Sequence, residues 1–297
     1  MNIGVSRTAV AKGLSCVSLR THARRLHQLK PLSYDIDAGL GRFLPPDALR
    51  TVAVEYQSGL ISRLNEEIKG TEQERQSLPQ IVISTAANKS RVLAFNYASL
   101  ALNNSFFLEQ LSQENSEERM SGELGRRIMD HHGSIAQLKS TFSSAVLGMF
   151  GSGYVWFVTD VEGRTAVLPT FGPGTLLIAS RTYLGSRPND SPHGNFLMDD
   201  KLHHRDDSQK VDQLYNDYRD QHPSSEMMLN ASVTLFPLFC VSVHEHNWLS
   251  AGFGVWGKEA WMREFWSVLD WEKVNKQFGR VMTTGTRFVN SPNYKRY

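Results

Sequence analysis

Phe150-Gly151-Ser152-Gly153-Tyr154-Val155-Trp156 is the stretch that decides how this chain folds. Its two glycines stop any helix arriving from Leu147, and the aromatic, β-branched run to Val158 has the composition of a strand. Glu162-Gly163 then supplies a turn into Thr165–Leu168, so a β-hairpin is predicted. On its N-terminal side, Ser134-Ile-Ala-Gln137 reads as a capping box opening a helix toward Leu147. On its C-terminal side, Leu235–Val243 is a third strand, rich in Val and Phe, and Lys258–Phe278 spaces Trp261, Phe265, Trp266, Leu269 and Trp271 as one last helix.

Further upstream the periodicity is helical. Pro45-Pro46-Asp47 opens a helix to about Leu64, with Val52, Tyr56 and Leu60 on one face. A second helix, about Lys89–Leu111, turns Val92, Phe95, Leu100, Phe106 and Phe107 toward a core. Together they predict an antiparallel helical hairpin, with polar connections at 65–80 and 112–122. Residues 185–225 hold too few apolar side chains for a core and read as a surface insert.

The 297 residues are 40% hydrophobic and 21% charged, a globular composition. No apolar run reaches the ~18 residues of a membrane span, so no membrane partner is expected. All 30 acids lie between Asp35 and Glu272, with 20 bases among them, so an acidic body carries two basic ends. Such a chain touches a polyanion only through its extensions. Residues 1–28 are rich in Arg and Ser and lack acids, the composition of a mitochondrial transit peptide. Two cysteines, Cys16 and Cys240, make no disulfide framework and point to a reducing compartment.

The order of these elements resembles the iron/manganese superoxide dismutases. Leu29-Lys-Pro-Leu-Ser-Tyr34-Asp is similar to the family's entry segment, and Phe95-Asn-Tyr-Ala-Ser-Leu-Ala-Leu-Asn-Asn104-Ser-Phe-Phe to its second-helix motif. The Phe150–Trp156 block is similar to FGSGWxW, Ser242-Val-His-Glu245-His246 to DxWEH, and Phe265-Trp-Ser-Val-Leu-Asp-Trp271 to the closing FWxxIDW. The resemblance implies an α+β fold: an antiparallel helical hairpin over 29–115, then an α/β domain over 123–276 with a three-stranded antiparallel sheet. Residues 277–297 follow as a basic extension, in which Gly279, Gly285 and Pro292 discourage a long helix.

The family's redox metal is held by three imidazoles and one carboxylate. The resemblance places those ligands at Val52, Asn104, Ser242 and His246, of which only His246 binds a metal well. The gateway His and Tyr fall on Tyr56 and Leu60, and the family's metal-tuning Gln on Leu100 or Phe150. None of the ten histidines lies between residues 28 and 130, so the hairpin supplies no imidazole in any register. No catalytic residue, metal or cofactor is expected. The family's dimer contacts fall on Glu245, His246, Tyr56 and Leu249.

Other features read plainly. His244 and His246 are expected to alternate on one strand edge, and His131-His132 to be solvated loop residues. His203-His204 with Asp206-Asp207 lies in the polar insert, and Gly39-Leu-Gly41 lacks the third glycine of a dinucleotide site. With its basic leader and altered ligands, the chain resembles the superoxide-dismutase-like proteins of the fungal mitochondrial small ribosomal subunit, which occur as a pair of paralogues. That resemblance implies a structural, non-enzymatic ribosomal protein of the mitochondrial matrix, partnered by other mitochondrial ribosomal proteins. It also implies a pseudo-twofold dimer with a similar chain, and rRNA contact through Arg280, Arg287, Lys295 and Arg296. An active mitochondrial dismutase, or an interaction module independent of the ribosome, are the alternatives.

Overall fold

The computed structural model describes residues 27–114, 116–178 and 234–289. Most of the expected leader, the insert, and Lys295 and Arg296 lie outside the described residues.

Pro46 sets the first turn of α1 (Pro46–Arg50), which continues through a π-helical turn (Thr51–Tyr56) into α2 (Gln57–Ile68). The short α3 (Leu78–Thr85) follows, then α4 (Val92–Glu109). The expected polar connection at 65–80 is therefore shorter, because Ile68 is buried at the end of α2 and Ser77 starts α3. The Ser77 backbone N–H donates to Gln80 Oε1 at 2.8 Å, an N-terminal cap. α4 is covered on several sides, burying Phe95, Ala98, Ala101, Asn104, Phe107 and Leu108.

A helix not foreseen, α5 (Gly122–His132), buries Leu124 and Ile128 one turn apart. Gly133 ends it, and Ser134 Oγ accepts from the Gln137 N–H at 3.0 Å to start α6 (Ile135–Gly148). The sheet comprises β1 (Gly153–Thr159), β2 (Thr165–Phe171) and β3 (Phe236–Val243), antiparallel in the order β2-β1-β3. Trp156 lies opposite Leu168 on one side and Cys240 on the other. Every β1 residue is buried, as a central strand covered on both faces must be. Tyr154 and Trp156 turn toward α4: the Trp156 ring lies 5.9 Å from Phe106. Phe157 points the other way, beside Phe239, which meets Phe142 of α6.

The chain closes with α7 (Glu245–Ser250), α8 (Lys258–Val268) and α9 (Trp271–Val289). The single helix expected over 258–278 is broken at Leu269-Asp270. There the backbone pairs with the end of α4: Ser112 N–H donates to Val268 O at 2.8 Å and Asp270 N–H to Gln110 O at 2.9 Å. These bonds outweigh continuing the helix by one turn. Conversely, Gly279 and Gly285 do not stop α9. A helical glycine costs only about 1 kcal/mol against alanine, and Val274, Phe278 and Val281 bury a stripe at helical spacing. Arg280 lies exposed on α9, and Arg287 falls within its span.

One core joins hairpin and sheet. Phe43 stacks on Trp261 with ring centroids 4.7 Å apart, and Trp261 Nε1–H donates to Phe43 O at 3.0 Å. Gly153 shows why the deciding stretch needs its glycine. A Cβ there would sit 2.0 Å from the Thr170 carbonyl oxygen, inside the β1–β2 ladder. Gly153→Ala is expected to destabilise the fold by about 3 kcal/mol or more, read as a lower urea midpoint.

Candidate functional site

The face of β1 and β3 that meets α4 carries the residues singled out by the sequence. Val52, in the π-helical turn, is fully buried and offers only its carbonyl. Asn104 Nδ2 donates to that carbonyl at 3.2 Å and to Gln57 Oε1 at 2.9 Å. Gln57 Nε2 donates in turn to Ala101 O and Ser105 Oγ, both at 2.9 Å. Two amides thus tie the first helix to α4. A π-turn displaces the helix register locally, and such turns recur at functional sites.

Ser242 lies opposite Tyr154 on β3, so both face α4. Its hydroxyl is 3.0 Å from His244 Nδ1 and accepts from Asn247 Nδ2 at 3.0 Å, while Asn247 also donates to the Ser242 carbonyl at 2.8 Å. β3 ends at Val243, so His244 and His246 do not alternate on a strand as expected. His244 is the residue before α7, and Glu245 and His246 occupy its first turn. The two imidazoles still lie close, with centroids 5.4 Å apart, because the helical turn brings them to one side. Tyr56 packs 4.3 Å from the His246 ring and Tyr154 5.2 Å from the His244 ring.

Burial holds both imidazoles neutral. It lowers each to about 4, and for His244 a charge on His246 adds to the effect. Burial also lifts the Tyr56 hydroxyl to about 12 and pushes the Cys240 thiol up, so that thiol is inert. Three polar atoms here are sealed from solvent without a hydrogen-bond partner: His246 Nε2, Asn104 Oδ1 and Asn247 Oδ1.

Of the expected contact residues, Glu245 and Leu249 are exposed, while His246 and Tyr56 are half-buried. His131 and His132 are not solvated loop residues. They sit in the last turn of α5, and their Nδ1 and Nε2 atoms lie 3.2 and 3.1 Å from Thr165 Oγ1, which clasps α5 to β2. Sequence reasoning passed over Gln57, Asn103 and Asn247. The available signal was an amide inside an apolar helical run, since a buried amide must find partners. Asn103 Nδ2 does so at Gly174 O, 2.9 Å away.

The comparisons with known proteins agree with this architecture. Residues 120–183 match the family described as iron/manganese superoxide dismutases, C-terminal domain. The iron superoxide dismutase of Bordetella pertussis is 32% identical over 151 residues, covering 51% of this chain and 75% of that protein. The iron superoxide dismutase of Salmonella typhimurium is 31% identical over 157 residues, 53% of this chain and 78% of that one. Small ribosomal subunit protein mS43 of Schizosaccharomyces pombe is 29% identical over 143 residues, 46% of this chain. The match spans about half of that relative, 53% of its length. Helical hairpin, three-stranded antiparallel sheet and closing helices define a superoxide dismutase-like α+β protein. The chain belongs to the iron/manganese superoxide dismutase family.

The family's metal can now be tested against the residues at hand. Among the described residues no three His, Cys, Asp or Glu side chains come together to hold an ion. The sealed His246 Nε2 is one suitable donor and the unpartnered Asn104 and Asn247 amide oxygens are weak neutral ones, but His244 Nδ1 is engaged by Ser242 and Val52 has no donor in its side chain. Amide and hydroxyl oxygens without a carboxylate leave the charge of an iron ion uncompensated. The residues present do not fit a redox iron or manganese centre.

The buried imidazoles carry a pH signature. Their folded values lie below the ordinary 6.5, so the unfolded state binds protons first and stability falls as pH drops from about 6.5 toward 4. Each imidazole contributes on the order of 2–3 kcal/mol to that loss. Thermal melts from pH 7 to pH 4.5 are expected to show the decline, and His244→Gln with His246→Gln to flatten it. An unchanged slope in the double variant would refute this account.

Proposed function

We propose that this chain is a structural constituent of the mitochondrial small ribosomal subunit, a superoxide dismutase-like scaffold without catalytic function. The observation that carries the reading is the rewiring at Val52, Asn104 and Ser242. The family's fold is retained, while Val52 offers no side-chain donor and Asn104 and Ser242 offer only neutral oxygens, with the Asn104 amide N–H groups and the Ser242 hydroxyl bonded within the protein. The similarity to small ribosomal subunit protein mS43 supports a ribosomal role over an enzymatic one. The acid-free, Arg- and Ser-rich start of the chain supports the mitochondrion as its location, in the matrix.

In this reading, Glu245 and His246, with Tyr56 and Leu249 beside them, pair the chain with a second chain of the same fold. His246 Nε2 is sealed inside, whereas Nδ1 is not, so Nδ1 is the atom available to an acceptor across the contact. Other mitochondrial ribosomal proteins complete the partners, and the basic C-terminal residues Arg280, Arg287, Lys295 and Arg296 touch rRNA.

An active dismutase is the second reading, favoured by the identity to bacterial iron enzymes. Elemental analysis separates the two. The purified protein is expected to hold no stoichiometric iron or manganese and to show no superoxide turnover. Val52→His, Asn104→His and Ser242→Asp introduced together are expected to raise metal occupancy, and any one alone to leave it unchanged, since an incomplete set of donors leaves the ion hydrated. Metal in the wild-type protein with turnover would overturn the structural reading.

Sedimentation tests the ribosomal part. The protein is expected to travel with small subunits rather than at the top of the gradient. α9 buries Phe278 and Val281, so a truncation that spares the fold ends after Val289 rather than near 277. Removing residues 290–297 is expected to weaken association and to flatten its salt dependence, by about one unit of slope for each phosphate no longer neutralised. Free sedimentation of the intact chain would refute the ribosomal assignment.

A further inference from the structure

His131 and His132 converge on one residue, Thr165, the first of β2. The Thr165 backbone N–H donates to His131 Nδ1 at 3.3 Å. Thr165 Oγ1 lies 3.2 Å from that same nitrogen and 3.1 Å from His132 Nε2. The backbone bond settles the tautomer. A ring nitrogen that accepts an N–H carries no proton of its own, so His131 is the neutral form with its proton on Nε2. The hydroxyl turns its hydrogen toward His131 Nδ1 and accepts from the other ring, which makes His132 Nε2–H the donor. Thr165 is fully buried, so no water substitutes for these partners.

A proton added at His131 Nδ1 inverts the arrangement. Two N–H groups would then face each other, and the buried Thr165 backbone donor would lose its acceptor. Burial, and after it Arg127 of the same helix, lower His131 below its ordinary 6.5, while Asp130 and Asp160 pull upward and Arg164 downward. Asp160 spends its carboxylate on the Glu162 and Arg164 N–H groups and on the Arg164 guanidinium, and Glu162 lies 3.6 Å from the same guanidinium. On the sheet side, Phe157 packs with its ring 5.6 Å from His132.

Three elements meet at this corner. Gly163, in the turn between β1 and β2, has φ +80°, and a Cβ on it would sit 3.1 Å from Arg127 Nε of α5 and 3.2 Å from Met282 Sδ of α9. The turn is therefore packed under both helices. We propose that His131 and Thr165 form a pH-operated latch, closed while Nδ1 accepts from the Thr165 N–H and opened when that nitrogen takes a proton, which releases the last turn of α5 from the start of β2. Because the folded ring is lowered, the latch is closed above about 6.5 and opens as the pH falls below it. Met282 seats α9 on the same turn, so opening loosens the support of the helix that carries Arg280.

Amide hydrogen exchange and imidazole nitrogen shifts, measured by NMR on the full-length chain, test this. At pH 7.5 the His131 Nδ1 resonance is expected at the position of an unprotonated ring nitrogen. From pH 7.5 to pH 5, protection of the Thr165 amide, corrected for the chemical exchange rate, is expected to fall at least about tenfold. His131→Asn sets an amide oxygen where Nδ1 stood, accepts the same N–H and does not titrate, so its protection is expected to stay flat over that range. His244→Gln with His246→Gln, which removes the other buried imidazoles, is expected to leave the fall at Thr165 unchanged. Wild-type protection independent of pH overturns the proposal, as does a protonated Nδ1 at pH 7.5. A fall that persists in His131→Asn, or that vanishes in the His244 and His246 double variant, also overturns it, because the proton then acts elsewhere.

Discussion

β1 is buried along its whole length, and that constraint organises the molecule. A strand with no wet face must be covered twice, so the chain supplies α4 on one side and α6 with α9 on the other. The side chains divide accordingly. Tyr154 and Trp156 reach toward α4, while Phe157 joins Phe239, Phe142 and Trp271 on the far side. Gly153 lets the strand begin this close to β2, and the break between α8 and α9 bonds the end of α4 into the same assembly.

Val52, Asn104 and Ser242 lie on the α4 side of that sheet, in a region that remains strongly polar. Burial there makes each unpaired polar atom costly, so the amides of Asn104, Gln57 and Asn247 bond to backbone and hydroxyl oxygens across helix and strand boundaries. Hydrogen bonds between the first helix and α4, and within the β3–α7 corner, hold these elements together. The neutral imidazoles of His244 and His246 complete the site without introducing charge into the interior.

Most of the segments that sequence reading misjudged share a physical cause. α5 and the break at Leu269-Asp270 depend on partners distant in the chain, whereas the start of α3 is a local Ser77–Gln80 cap inside a run read as polar. Ser121 N–H donates to Asn275 Oδ1 at 3.0 Å, and Leu269 bridges to Leu111. Local composition is blind to such bonds. The persistence of α9 through Gly279 and Gly285 has the same origin, since the core contact of Phe278 and Val281 outweighs a local penalty.

What the sequence determined by itself was the class of fold. The strand-forming block after Phe150, the helical spacing of Val52, Tyr56 and Leu60, and the absence of histidine between residues 28 and 130 are all local facts of the sequence. Tertiary structure alone decided which amides meet which carbonyls, that His244 and His246 converge at a helix start rather than along a strand, and that Phe150 and Trp256 stand in solvent. Each of these depends on backbone segments brought together by burial of β1, and no periodicity along the chain encodes the distance between them.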